Sequence, residues 1–218
     1  MVDQNKVNKF IKIRKLMQQY FTVYDYDGRL IDYEISENGM VDVDGGDVTM
    51  ISPAPRLPVT FSYVSGSFEA HTKGLTTLEG VPASCHNLLV NQNALTNLDH
   101  CPSDLNWLFV KNNRLVNFEG SLRSVNLIDA RQNPFKNLNG LENIRVEEIK
   151  ISYSENLPLL KLLVAKQIYL AHDIVKLDHE RVNDINNILQ KYAGQGQKGA
   201  LACAAELADA GFKENAQW

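Results

Sequence analysis

Cysteine is scarce in this chain: 218 residues hold Cys85, Cys101 and Cys203 and no CxxC pair. So few thiols at such spacing argue against a disulfide framework and against a structural zinc site, and a reducing compartment is the expected setting. Long apolar runs are missing too. Between Met1 and Tyr20 the hydrophobic residues are interrupted by Lys6, Lys9, Lys12, Arg14 and Lys15, so that stretch reads as neither a signal peptide nor a membrane span. A cytoplasmic protein without a membrane is expected. Neither sign of charge dominates: 22 basic residues face 26 acidic ones, a net charge of −4, which argues against broad electrostatic attachment to nucleic acid.

Catalytic signatures are equally thin. The five histidines His71, His86, His100, His172 and His179 show no HxxxH spacing. His86 and His100 fall near Cys85 and Cys101, but Cys85 takes an inward apolar slot of the repeat described below and Cys101 the turn after it, which argues against zinc. Glu79, Asp99 and Glu119 recur at one turn position, as a repeat feature does, and no serine or cysteine has a nucleophile's context. The expectation is a binding protein and not an enzyme, with no cofactor and no metal.

What the chain does have is a period. Hydrophobic residues make up 44% and charged residues 22%, ordinary for a folded globular protein. Offsetting the sequence by twenty residues aligns four rows. Leu75, Leu95, Leu115 and Phe135 share one column; Leu78, Leu98, Phe118 and Leu138 share another. Phe68, Leu88, Leu108 and Ile128 form a third, Ala70, Val90, Val110 and Ala130 a fourth, and Lys73, Asn93, Asn113 and Asn133 the polar one. The third row reads Leu105-x-x-Leu108-x-Val110-x-x-Asn113-x-Leu115, the leucine-rich-repeat pattern. A short strand in each row turns residues such as Leu108 and Val110 inward, and stacking is the only way a row can bury them. At the end of each strand the asparagine amide can pair with backbone groups that the turn leaves open, so Asn93, Asn113 and Asn133 are expected to form a ladder.

Toward both ends the pattern loosens. Val146-x-x-Ile149-x-Ile151 and Ala165-x-x-Ile168-x-Leu170 read as two degenerate rows, and Val48 and Met50 align with Phe68 and Ala70. Val41, Val43 and Val48 suggest strands joined by a turn at Gly45-Gly46. From Lys6 to Tyr20, Val7, Phe10, Ile11, Ile13, Leu16, Met17 and Tyr20 lie mostly on one helical face; its basic residues read as the solvated side of a cap, or as a contact for nucleic acid or an acidic surface. A second helix runs from Asp178 to Tyr192 and a third from Ala200 to Ala210, stopped by Gly211. Gly194 to Gly199 lacks the phosphate-loop spacing and follows a helix, so it reads as the turn of a helical hairpin.

The fold expected is an α/β-type solenoid: a leucine-rich-repeat arc with short parallel strands, an irregular convex side and helical caps at both ends. It divides into an amphipathic helix (1–22), a strand-rich cap (23–64), the solenoid (65–175) and a helical hairpin (176–218).

Leu75-Thr76-Thr77-Leu78-Glu79-Gly80-Val81-Pro82 and its echo Leu95 to Pro102 resemble the short, twenty-residue bacterial class of leucine-rich repeats. Secreted bacterial effectors use that class, some with a ubiquitin-ligase domain. The segment after the repeats is too short for that domain and Cys203 sits in an apolar helix, so ligase activity is not carried over. The chain also resembles leucine-rich-repeat proteins encoded by tailed bacteriophages, in Val41 to Gly45, Leu57-Pro58, Val64 to Phe68, the LTTLEGVP repeat, and the ending Asn215-Ala216-Gln217-Trp218. That resemblance implies action in the cytoplasm of an infected bacterium and supplies no biochemical activity.

In such an arc the outward strand positions form the concave face. One column is Ser67, Asn87, Trp107 and Leu127; the next Glu69, Leu89, Phe109 and Asp129; the last His71, Asn91, Lys111 and Arg131. Leu89, Trp107, Phe109 and Leu127 should form an apolar patch edged by Lys111, Asp129, Arg131 and Glu69, the makeup of a protein-binding hot spot. Its occupant is a host protein, a second copy of the chain, or the chain's own ends. The functions consistent with this reading are an adaptor or inhibitor binding a host protein, a structural or self-assembling homo-oligomer, and a nucleic-acid binder or enzyme working through the terminal helices.

Overall fold

A row that carries apolar side chains on one edge cannot bury them alone, and here the rows stack. The computed structural model describes residues 4–171 and 179–218; His172 and Asp178, the expected start of the second helix, lie outside them. Helix α1 (Gln4–Tyr20) leads into β1 (Phe21–Asp25), β2 (Glu34–Ile35), β3 (Val41–Val43), β4 (Gly46–Met50) and β5 (Phe61–Glu69). Then come β6 (Ser84–Leu89), β7 (Asp104–Phe109), β8 (Ser124–Asp129), β9 (Arg145–Ser152) and β10 (Gln167–Ala171), followed by α2 (His179–Tyr192) and α3 (Gln197–Asp209). From β4 to β10 each strand pairs in parallel with the next, which makes a β-solenoid of about seven stacked coils with helices at its ends.

The register follows the period. Val48, Phe68, Leu88, Leu108 and Ile128 stand opposite one another in turn, and the loosened rows continue the line through Ile149 and Ile168. Inward residues such as Leu88, Val90, Leu108 and Val110 are fully buried. Each large one stabilises the stack by roughly 1.5–3 kcal/mol. Among the described residues the returning side of the coils carries only 3₁₀ turns, at Leu141–Asn143 and Leu160–Val164.

The asparagines tie coil to coil. Asn113 donates from Nδ2 to the carbonyls of Val90 and Val110, both at 3.0 Å, and its Oδ1 accepts the Leu95 N–H at 3.0 Å. Asn93 and Asn133 make the same reach into the coil before them, to the Ala70 and Val110 carbonyls. The ladder expected from the sequence is formed.

The strands expected on either side of Gly45-Gly46 are present, and the bend between them does not fold one against the other: β3 and β4 lie end to end and both pair in parallel with β5. The other edge of β4 is taken by β1, antiparallel, from Phe21 opposite Met50 to Asp25 opposite Gly46. Gly45 at φ +74° lets the chain bend between the two strands. Stacking in parallel therefore begins at Val41, ahead of residue 65.

Both ends of the stack are closed. On the first, α1 buries Ile13 and Met17, while Ile11 points outward. Three of its basic residues are engaged with the cap: Lys6 pairs with Glu37 at 2.7 Å, Lys9 donates to the Asn38 carbonyl at 2.6 Å, and Arg14 lies over the Tyr33 ring. On the last, α2 lies along the open edge of β10. Asn186 accepts the Leu170 N–H and donates to its carbonyl; Gln190 accepts the Ile168 N–H and donates to the Lys166 carbonyl. Two amides one helical turn apart thus stand in for a missing strand. The glycine turn between α2 and α3 is held down as well, Gly194 N–H donating to Ala165 and Gly196 N–H to Leu163.

Candidate protein-binding face

The face is built by period-2 geometry along each strand and by register between strands. On β7, Trp107 and Phe109 point outward together, and their rings stack with centroids 5.9 Å apart and planes 11° apart. Register sets Trp107 between Asn87 and Leu127, and Phe109 between Leu89 and Asp129. The four apolar residues expected to form the patch therefore meet. Trp107 is 43% exposed, and Leu89, Phe109 and Leu127 are half-buried. The helical ends of the solenoid pack on its first and last coils, and the patch lies on coils between them.

The charged rim differs in kind from a ring of free charges. Asp129 is buried, and Arg131 grips both its oxygens, Nε to Oδ1 at 2.8 Å and a terminal nitrogen to Oδ2 at 2.5 Å. That hydrogen bond raises the Arg131 pKa further. Beside this pair, Glu148 and Lys150 are joined at 3.0 Å, and Glu147 and Lys166 at 2.7 Å. Glu69 lies against Thr49 at 3.5 Å. Lys111 is half-buried with no carboxylate partner among the described residues.

A second feature of the face went unseen in the sequence. Asn126 donates to Asn106 at 2.9 Å, Asn106 to Asn87 at 3.3 Å, and Asn87 to Ser67 at 3.1 Å. This outer row of amides crosses four coils beside Trp107, all donating in one sense, and aligned donors polarise one another. Asn106 and Asn126 sit one column to the side of the expected face, and their twenty-residue spacing is the signal that could have found them. Tyr63 and Tyr169 are also exposed, 40% and 47%, at the two ends of the same sheet face.

The remaining chemistry-bearing residues are scattered or shielded. Cys85 is buried and burial pushes its thiol up to about 12; Cys101 is buried beside it and pushed higher still, and Cys203 is raised to about 11. His86 and His100 are exposed, and His71 is half-buried. Glu79, Asp99 and Glu119 follow side-chain-closed turns, their N–H groups bonded to Thr77, Asn97 and Asn117. Among the described residues no group of three or more His, Cys, Asp or Glu is placed to hold a metal ion, and no helix is long and apolar enough to cross a membrane. No known family, curated protein or solved structure matches the chain.

Proposed function

We propose that this chain is a protein-binding module of the leucine-rich-repeat type, and that the outward face of its strands grips the partner. The stacked Trp107–Phe109 pair carries the reading. Leaving Trp107 exposed, stacked on a half-buried Phe109, forfeits part of the hydrophobic gain of burying them, and flanking Leu89 and Leu127 make the patch contiguous. Aromatic anchors surrounded by amides and internally paired charges are the composition of a recognition surface. The repeat assignment draws support from the twenty-residue register and from the asparagine reach between coils. On the resemblance of its repeats to those of bacteriophage proteins, the partner is a protein of the bacterial host, and the chain serves as adaptor or inhibitor.

The test is a pull-down from bacterial lysate with the wild-type chain and the Trp107→Ala/Phe109→Ala variant, read by mass spectrometry. A stoichiometric protein held by the first and released by the second, with each anchor worth about 2 kcal/mol, bears the reading out. Equal recovery by both, or recovery of the bait alone at a concentration-dependent mass, removes it in favour of another surface or of self-assembly.

A further inference from the structure

Resting on that reading, we infer that the partner brings a carboxylate to Lys111, next to the apolar residue it seats on Trp107 and Phe109. One strand and the residues just after it supply the whole footprint: Asn106, Trp107, Phe109 and Lys111 follow one another along the same coil. At about 3.3 Å per residue they span roughly 17 Å, the length of a short extended segment. Lys111 follows Phe109 by two residues, about 7 Å along the coil, so a partner segment seated on the aromatic pair and running with the coil passes beside it.

Charge decides what the partner must carry. The arginine and the two lysines nearest on the following coils are paired within the chain: Arg131 with Asp129, Lys150 with Glu148 and Lys166 with Glu147. Lys111 has no carboxylate partner among the described residues. In the free protein water solvates it at no loss. Once an apolar segment closes over Phe109 that water leaves, and an ammonium desolvated without a counter-charge opposes binding. A neutral or basic segment is thereby rejected and an acidic one admitted, so the residue acts on specificity as much as on affinity. Asn91 stands beside it in register with its Oδ1 already accepting the Lys111 N–H at 2.9 Å, which leaves the Nδ2 group as a second donor to the same carboxylate.

The experiment selects a random peptide library displayed on particles against the full wild-type chain, Trp107→Ala, Lys111→Ala and Lys111→Glu, each first shown to unfold at the wild-type temperature. The expected result is enrichment of Asp or Glu beside Leu, Phe, Tyr or Trp on the wild type and loss of all enrichment on Trp107→Ala. Lys111→Ala should bind the leading synthetic peptide about tenfold more weakly, and Lys111→Glu should select Lys or Arg instead. Peptides that need Trp107 but show no acidic preference, and bind Lys111→Glu equally, overturn the carboxylate and leave the docking face standing. Enrichment indifferent to Trp107, or none on any form, overturns both.

Discussion

Asn186 holds both backbone groups of Leu170: its Oδ1 accepts the N–H at 2.9 Å and its Nδ2 donates to the carbonyl at 3.0 Å. A helix side chain thus completes a strand as a neighbouring strand would. Gln190 extends the device one helical turn on, accepting the Ile168 N–H and donating to the carbonyl of Lys166, just ahead of β10.

Replacing both residues, Asn186→Ala/Gln190→Ala, uncovers that edge. Four backbone groups lose their partners, and a loss of about 2–4 kcal/mol in unfolding free energy is expected. An unpaired edge also invites another chain. Urea denaturation reads the first effect and size-exclusion chromatography the second; unchanged stability with a monomeric profile would contradict the capping role.

Asn113 is the most buried rung of its ladder, at 6% exposed. Asn113→Ala leaves the Leu95 N–H without its acceptor and takes from the Val90 and Val110 carbonyls one of two amide donors, Asn93 and Asn133 supplying the other, and is expected to cost about 1–3 kcal/mol. Asn113→Asp keeps the acceptor but offers no donor to Val90 and Val110 and buries a charge, so it should fall at least as far at neutral pH. Chemical denaturation of both variants checks the order, and a milder Asp would count against the donor role.

His100 stands at φ 64° in the turn column that Gly80, Gly120 and Gly140 fill elsewhere. A side chain held in that region is strained, so His100→Gly should stabilise by about 0.5–1 kcal/mol. Gly140→Ala is the converse, because its Cβ would come within 2.5 Å of the Phe118 carbonyl carbon, and a loss of about 3 kcal/mol or more is expected. Differential scanning calorimetry reads both signs.

Burial raises the Cys85 thiol from about 9 to about 12, so the folded chain keeps a proton that the unfolded chain releases. The stability tied to that proton is complete below pH 9 and disappears as the pH rises through 12. The midpoint of urea unfolding should therefore drop between pH 8.5 and 10.5 by more in wild type than in Cys85→Ala. A thiol reagent at pH 8 should label the native protein only at its rate of opening; rapid native labelling would refute the burial argument.

The sequence made the inner half of this protein legible. Leu88, Leu108 and Ile128 announce themselves because stacking repeats the same environment every coil, and Asn113 because each turn leaves the same groups open. What occurs once has no period to reveal it. Asn215 bonds carbonyls of residues about sixty positions earlier, and Asn186 belongs to a helix whose spacing speaks only of its own face. At Gly45-Gly46 the local signal marked the bend between two strands but not their partners, β5 on one edge of β4 and β1 on the other. For the binding face, register brought Trp107 beside Leu127 and Leu89 beside Phe109 as the columns require. The internal pairing of Asp129 with Arg131, which leaves Lys111 the odd charge, depends on side-chain reach that spacing does not encode.

Because Asn93, Asn113 and Asn133 each reach back to a carbonyl of the coil before, a coil carries its own amide link to its predecessor. A duplicated stretch of one repeat brings that link with it, and its strand offers the same parallel pairing to the coils on either side. The solenoid is thus a ruler that can be lengthened in steps of about 4.8 Å, and the reach of its outward face is set by copy number while the caps at either end stay as they are.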